Sequence, residues 1–132
     1  MDYRKKTFPQ LKKIADKVCS EWIRQKYANW KGETKCYTCS KTAPWRELQC
    51  GHYISRVYTN LRYYEPNLRP QCYSCNVMRH GNMDVYAINL ERETKGILEV
   101  LNQWKYRPSK MKREDLVDII EDFKKKISEI IN

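Results

Sequence analysis

The segment that decides the fold runs from residue 36 to residue 82 and reads CYTCSKTAPWRELQCGHYISRVYTNLRYYEPNLRPQCYSCNVMRHGN. It contains two Cys-x-x-Cys pairs, Cys36/Cys39 and Cys72/Cys75, and four thiolates at this spacing are typical of a tetrahedral zinc site. A compact zinc ribbon has roughly 15 to 20 residues between its pairs. Here 32 residues, 40–71, separate them, which predicts that a hairpin and a loop are inserted into the zinc-bound unit.

The inserted segment and the second cysteine pair carry the side chains that phosphodiester hydrolysis needs. The insert contains Gly51-His52, and Asn76 follows the second pair directly. A base must take a proton from the attacking water near neutral pH, and imidazole titrates in that range, so we interpret His52 as the general base. A hard divalent ion such as Mg²⁺ accepts an amide oxygen, so Asn76 is a candidate ligand of a catalytic ion. The pattern predicts a metal-dependent nuclease.

Several of these residues have a second interpretation. His80 follows Asn76 by four positions, so a helix beginning near Cys75 would place both on one face and make His80 a second ligand. An exposed residue or a phosphate contact is the alternative for His80. Taken alone, His52 is equally consistent with a structural or zinc-shell histidine, and Asn67 with a turn residue after Pro66.

Composition limits the class of protein. At 132 residues, with 41% hydrophobic and 32% charged side chains, the chain fits one globular domain. It shows neither an apolar run of membrane-spanning length nor the apolar stretch of a signal peptide, so we expect a soluble, cytoplasmic protein. In that setting the paired cysteines favour metal thiolates over disulfides. Cys19 falls at a helical core position, whereas Cys50 is either a strand core residue or an extra soft ligand.

The net charge of +10 is unevenly distributed. Residues 1–35 hold ten Lys/Arg against four Asp/Glu, residues 36–82 hold six against two, and residues 83–132 hold ten against ten. The basic excess therefore surrounds the cysteines, and a polyanion such as DNA is the natural partner of such a surface. Binding of RNA, or solubility alone, would explain a basic surface equally well.

Apolar residues at three- and four-residue steps predict four helical stretches. They span Phe8 to Asn29, Val85 to Leu90, Ile97 to Trp104 with Thr94 as a possible cap, and Lys112 to Ile130. The last one carries an apolar stripe that should pack on the domain or on a second copy. Leu48 to Val57 is the best strand-hairpin candidate, and residues 60–70 contain prolines that break regular structure.

The spaced motifs together resemble a known family, the NinG/Rap recombination nucleases of lambdoid phages. The residues that carry this resemblance are Cys36-x-x-Cys39, Gly51-His52-Tyr53, Leu61-Arg62-Tyr63, Asn67, Gln71-Cys72-x-x-Cys75-Asn76, Gly81-Asn82 and Tyr86. The resemblance is close from Cys36 to Leu90, looser through the last helix and weak before residue 30. More distantly, the order of these motifs is similar to phage endonuclease VII and to the HNH, or His-Me finger, superfamily.

The resemblance implies an α+β fold in which a zinc-stapled ββα-metal (HNH) core, residues 36–90, is flanked by helices. Residues 1–35 form a basic amino-terminal helical segment, and residues 91–132 form carboxy-terminal helices. His52 lies on the first strand as the base, Asn67 braces the connecting loop, and Asn76 begins the helix as a metal ligand. Endonuclease VII-like sites have an acidic residue or histidine where this chain has Gly51, which leaves the second ligand open between His80, Asn82, a backbone carbonyl and water.

The resemblance further implies a phage or prophage enzyme that cleaves branched DNA, such as D-loops and Holliday junctions, with structural Zn²⁺ and catalytic Mg²⁺ or Mn²⁺. Candidate DNA contacts around the site are Tyr53, Arg56, Arg62, Arg69 and Arg79. Symmetric cutting of a junction needs two active sites, and with the apolar stripe of the last helix this predicts a homodimer. The competing interpretation is a non-catalytic zinc module that binds nucleic acid during recombination.

Overall fold

A computed structural model describes residues 2–131 as a mixed α+β arrangement of helices and two small antiparallel sheets. The helices are α1 (Phe8–Lys26), α2 (Thr59–Arg62), α3 (Met83–Glu93), α4 (Ile97–Lys105) and α5 (Arg113–Ile131). The strands are β1 (Glu33–Lys35), β2 (Thr42–Pro44), β3 (Gln49–His52) and β4 (Leu68–Gln71). None of the helices described here is long and apolar enough to span a bilayer.

The two longest helices, α1 and α5, pack on each other and form the main core. Helix α1 begins with a capping box in which Thr7 and Gln10 satisfy each other's backbone N–H groups, and it ends near the predicted position. Its buried residues meet the stripe of α5, with the rings of Trp22 and Phe123 5.7 Å apart. The stripe predicted to pack on the domain or on a second copy therefore packs within the chain. Cys19 lies in this core, as its helical spacing predicts.

Helices α3 and α4 enclose a second core with α2. Its buried side chains are Ile54, Leu61, Tyr86, Leu90, Ile97 and Leu101. The predicted cap of α4 is wrong, because Thr94 ends α3 and Gly96, at φ +86°, precedes α4. The carboxylate of Glu91 instead accepts hydrogen bonds from the backbone N–H groups of Gly96 and Leu98. The side chain that caps α4 therefore belongs to the preceding helix, α3, and the residues just before α4 do not predict it.

One sheet carries the first cysteine pair, and the other carries His52. Strands β1 and β2 form a hairpin whose turn carries Cys36 and Cys39. Strands β3 and β4 pair across residues 53–67, with Gly51 opposite Arg69 and His52 opposite Leu68. The predicted hairpin within Leu48 to Val57 is therefore wrong, since only residues 49–52 form a strand and its partner lies beyond the loop.

Strand β4 contains Pro70, which the sequence assigned to an irregular segment. Pro70 pairs with Cys50, and its carbonyl accepts a hydrogen bond from the N–H of Tyr37. A two-stranded sheet consists of two edges, and at an edge the missing N–H of proline leaves no ladder bond unmade. The proline therefore ends up inside a strand.

The segment after β4 is a π-helical turn, Ser74–Met78, rather than the start of an α-helix. His80, Gly81 and Asn82 follow with φ values of +51°, +92° and +48°. These left-handed residues turn the chain before α3 begins at Met83. The expectation that Asn76 and His80 share the face of one helix is therefore wrong.

Truncation of the α1–α5 interface should destabilise the fold. Ile120 is fully buried there, so Ile120→Ala should lower the free energy of unfolding by about 3 kcal/mol, through lost burial and a residual cavity. Ile130 on the same helix is 44% exposed, and Ile130→Ala should change the stability by less than about 0.5 kcal/mol. Urea unfolding of both variants measures this difference, and equal losses would contradict the packing.

Candidate functional site

The four paired cysteines converge into one cluster. The Sγ atoms of Cys36, Cys39, Cys72 and Cys75 all lie within 4.8 Å of one another, and those of Cys39 and Cys72 are 3.6 Å apart. Four sulfurs about 2.3 Å from a central Zn²⁺ would be about 3.8 Å apart, so the cluster has the right size and donor type for this ion. In the described residues it is the one group of three or more His, Cys, Asp or Glu close enough to hold a metal.

The surroundings of the thiols favour a bound cation. Burial raises the pKa of Cys36, but hydrogen bonds from the N–H of Cys72, from the hydroxyl and N–H of Thr38, and from the N–H of Cys39 outweigh it and bring this pKa to about 6. For Cys39, burial raises the pKa to about 12, and the neighbouring thiols add to the rise. Four thiolates this close repel each other, so full ionisation needs a positive ion at their centre.

Cys50 does not join this cluster. It lies on β3, and its side chain packs with the α1–α5 core that also contains Cys19. The alternative that Cys50 is an extra soft ligand is therefore wrong, and Cys50 behaves as a strand core residue.

A cleft of ≈ 600 Å³ brings together three of the predicted site residues, His52, Asn76 and His80. Strand β3 supplies His52, the π-helical turn supplies Asn76, and the left-handed turn after it supplies His80. His80 reaches the cleft because the chain reverses there, and not because a helix continues. The cleft is lined by Cys50, His52, Tyr53, Ser55, Arg56, Asn76, His80, Gly81 and Met83.

The hydrogen bond made by His52 defines its tautomer. Its Nε2 lies 3.0 Å from the carbonyl oxygen of Arg62. A carbonyl can only accept, so Nε2 carries the proton and the neutral ring keeps its lone pair on Nδ1. The same bond fixes the orientation of the ring. His52 can therefore act as a base through one defined atom.

The charge state of His52 also suits a base. Burial is the largest influence and lowers its pKa, and the positive charges of Arg56 and Arg62 lower it further. The carbonyl of Arg62 and the carboxylate of Asp16 act in the opposite direction. The net result favours neutral imidazole at neutral pH, which is the form that can take a proton.

Asn67 joins the two ends of the loop between β3 and β4. It is fully buried, and its Nδ2 donates to the carbonyls of Ile54 (2.9 Å) and Leu61 (3.1 Å). Its Oδ1 accepts from the N–H of Ile54 at 2.8 Å. Removing this amide would leave several buried backbone groups without a partner, each at a cost of about 1–3 kcal/mol. Asn67 thus holds together the two ends of the loop that carries the Arg62 carbonyl.

A glutamine orients the amide of Asn76. The Nδ2 of Asn76 donates to Oε1 of Gln49 at 2.7 Å, so its Oδ1 is the atom available to a cation. Sequence reasoning missed Gln49. Its signal is weak, because a polar residue at the start of a short strand has many possible roles.

The structure also explains why position 51 is a glycine, where endonuclease VII-like sites have an acidic residue or histidine. A Cβ added to Gly51 would lie 1.9 Å from Oε1 of Gln71. The Gln71 side chain therefore occupies the space that a larger side chain at position 51 would need. Gln71 is fully buried and donates to Oγ1 of Thr38 and to the carbonyl of Gly81. An acidic residue at position 51 would displace this amide.

The amino-terminal helix contributes directly to the site. Asp16 of α1 accepts two hydrogen bonds from the guanidinium of Arg62, at 2.8 and 2.6 Å, and one from the hydroxyl of Tyr63 at 2.9 Å. Arg62 is the residue whose carbonyl holds His52. Sequence reasoning left residues 1–35 without a site residue, because a lone aspartate on a basic helix gives no signal before its partner is known.

The candidate DNA contacts divide into two groups. Arg56 and Arg79 are exposed, and Arg56 lines the cleft together with the half-buried Tyr53. Arg69 is 7% exposed and binds Glu93 and the carbonyls of Glu65 and Leu68, so a role in DNA contact does not fit its position. Arg62 is mostly committed to Asp16. Both inward arginines serve the fold of the site.

The sequence profile of the family described as Bacteriophage Lambda NinG protein matches residues 3–132 of this chain. The chain belongs to the NinG family. No curated protein and no solved structure matches it. The NinG match begins ahead of α1, so it includes the helix that carries Asp16 as well as the cysteine-rich centre.

The zinc interpretation of this NinG chain predicts a defined metal content. We expect about one zinc per purified chain by elemental analysis, and we expect Cys75→Ser to lose most of it because three thiolates remain. Cys50→Ala is the matched control and should retain one zinc. Equal zinc in Cys75→Ser and the wild type would show that the cluster is not the binding site.

Proposed function

We propose that this NinG-family chain is a metal-dependent, structure-specific DNA endonuclease of the HNH type that cleaves branched recombination intermediates. The observation that carries the proposal is the placement of His52. Its Nε2 is held by the Arg62 carbonyl, its Nδ1 is free, and it shares one cleft with Asn76. A zinc-shell histidine would face the thiols, whereas this ring lies in the cleft and outside the thiol cluster.

The order of elements around the cleft supports an HNH-type core. Strand β3 carries the base, β4 pairs with it, and the π-helical turn after β4 carries the candidate ligand. The four thiols lie directly beside this turn, because Cys75 precedes Asn76. A ββα-metal site requires two strands and a helical element in this order, and here the helical element is one short turn.

The proposed reaction is attack of water on a backbone phosphorus. His52 takes the proton from the water at Nδ1, while the Arg62 carbonyl keeps the opposite nitrogen protonated and the ring in place. The Arg56 side chain, which lines the cleft, neutralises charge on the phosphate. The bond between phosphorus and the departing sugar oxygen breaks, and this oxygen takes a proton from solvent.

A divalent ion, Mg²⁺ or Mn²⁺, would neutralise charge on the phosphate and on the departing oxygen. The cleft offers it Oδ1 of Asn76 and the imidazole of His80, and among the residues lining the cleft there is no carboxylate. Mg²⁺ is usually held by one or two carboxylates together with substrate phosphates and waters, and an imidazole suits a softer ion such as Mn²⁺ better. With these two side chains alone, most of the coordination would have to come from the DNA phosphate and water.

The proposed substrates are branched DNAs such as D-loops and Holliday junctions, and we propose a homodimer that presents two active sites to a junction. The apolar stripe of α5 is used up by α1 within the chain, so it does not supply the dimer surface. Shape and deformability of the branch, more than base contacts, would select the substrate.

A non-catalytic zinc module that binds nucleic acid is the second candidate function. One observation favours it, namely the absence of a carboxylate among the residues lining the cleft. A non-catalytic module, however, gives no reason for the fixed tautomer of His52 or for the Gln49 contact that orients Asn76.

The first test compares the wild type with His52→Ala on a labelled four-way junction in Mg²⁺ or Mn²⁺. We expect the substitution to lower the cleavage rate by at least about 100-fold, because it removes the base, and to leave junction binding and zinc content unchanged. A wild type that binds the junction and leaves it intact with every metal would support the binding module. Cleavage by His52→Ala at the wild-type rate would exclude His52 as the base.

The pH dependence gives a second test. Burial and the nearby arginines lower the pKa of His52 below its ordinary value of 6.5, and the base acts in its neutral form. The acid limb of the cleavage rate should therefore lie below pH 6.5. Arg56→Gln removes one of the charges that lower this pKa, so it should move the limb to higher pH, whatever its effect on the maximal rate. A limb that does not move would argue against His52 as the titrating group.

A further inference from the structure

The connection between α4 and α5 is a concentrated basic and aromatic segment. Residues 104–113 read WKYRPSKMKR and contain five Lys/Arg residues with no Asp or Glu. Residues 83–132 as a whole have no net charge, so their total does not reveal this local excess of positive charge. Such interleaving of cations with aromatic rings is typical of surfaces that bind nucleic acid.

The aromatic rings of this segment lie on the surface. Trp104 is 42% exposed and Tyr106 is 77% exposed. Each is paired with a cation, since Cζ of Arg107 lies 4.4 Å from the ring centre of Trp104 and Nζ of Lys105 lies 5.2 Å from that of Tyr106. We call the surface formed by Tyr58, Trp104, Lys105, Tyr106 and Arg107 the aromatic platform.

The aromatic platform is attached to the loop that forms the candidate site. Asn60 of α2 donates from Nδ2 to the carbonyls of Trp104 (3.1 Å) and Arg107 (2.5 Å). Lys105 also lies over Tyr58 of the same loop, with Nζ 4.8 Å from the ring centre. This loop, residues 53–67, carries Arg56, which lines the cleft, and the carbonyl that holds His52. These contacts attach the platform to the same loop that contributes to the cleft.

Charge identifies the kind of partner. Residues 100–113, which supply most of the platform, contain no Asp or Glu, and the loop of residues 53–67 contains one acid, Glu65, which is paired with Lys26. Exposed rings beside cations that have no carboxylate partner in the described part of the chain would repel a basic protein surface and attract a polyanion that also offers flat, apolar faces. Nucleic acid bases that have left the duplex stack combine both properties, whereas paired bases hide their faces in the helix.

We propose that the aromatic platform binds unpaired DNA bases at a branch, next to the strand that enters the cleft. Tyr106 and Trp104 stack on the bases, and Lys105 and Arg107 contact the adjoining phosphates. The inference rests on the proposed function only in assigning DNA as the polymer, and it gives a physical basis for choosing branched over fully paired DNA. A branch point exposes unpaired bases and a continuous duplex does not.

The test is fluorescence anisotropy with a labelled splayed-arm DNA and a fully paired duplex of the same length, without added divalent ion. Tyr106→Ala and Trp104→Ala should each weaken binding of the splayed arm by about tenfold and binding of the duplex by less than about twofold. Tyr106→Phe keeps the ring and should bind both DNAs like the wild type. Trp30→Ala is the matched control, because Trp30 is 90% exposed beside Lys31 on a different part of the chain, and it should change neither affinity.

Equal losses for the splayed arm and the duplex, or unchanged binding in both alanine variants, would overturn the proposal. Tyr106 is so exposed that its substitution should leave the fold intact, which zinc content and helical circular dichroism verify. The outcome is separate from that of the cleavage experiment. If the wild-type protein cuts no DNA but the alanine variants lose their preference for the splayed arm, the platform is supported and the nuclease is not. If the wild-type protein cuts DNA and the alanine variants keep that preference, the nuclease is supported and the platform is not.

Discussion

The convergence of four cysteine thiols is the constraint on which the candidate site depends. It brings the turn of the β1–β2 hairpin against the end of β4, two segments that are 32 residues apart in sequence. The buried residues around them form only a small cluster, in which three of the thiols, those of Cys36, Cys72 and Cys75, pack with Ala43 and Leu48. An ion at the centre of the thiols would supply the cohesion that apolar burial supplies elsewhere. Asn76 inherits its position because it directly follows the last thiol.

The loop between β3 and β4 is the second determinant of the site, and it is held from several directions. Asn67 binds the two ends of the loop from the interior. Asp16 of α1 binds the side chains of Arg62 and Tyr63, and Asn60 binds the end of α4. These contacts hold the loop segment that contains the carbonyl oxygen of Arg62, which orients His52. A loop of irregular backbone is thereby fixed well enough to orient an imidazole, and helix α1 contributes to this through Asp16.

Periodicity was a reliable guide where burial decides the structure. The spacing of apolar residues predicted α1, α3, α4 and α5, because a helix that buries one face must repeat its apolar side chains at helical intervals. It was a poor guide for short strands and turns. Residues 53–57 were assigned to a hairpin and Pro70 to a break, yet β3 and β4 pair with each other across the loop. A strand of four residues carries too little pattern to reveal its partner.

The sequence alone determined which groups are available, because the type and spacing of the two cysteine pairs already predict a soft-metal cluster. It also placed a candidate base, His52, between the pairs and a candidate amide ligand, Asn76, directly after them. Only the tertiary structure decided how these groups are oriented. It supplied the carbonyl that fixes the tautomer of His52, the Gln49 contact to Asn76, the Gln71 amide that fills the space at Gly51, and the Asp16 carboxylate from a distant helix. It also placed Arg69, a candidate DNA contact, in the interior against Glu93. The physical reason is that a hydrogen bond depends on distances of about 3 Å and on direction, and neither follows from separation along the chain.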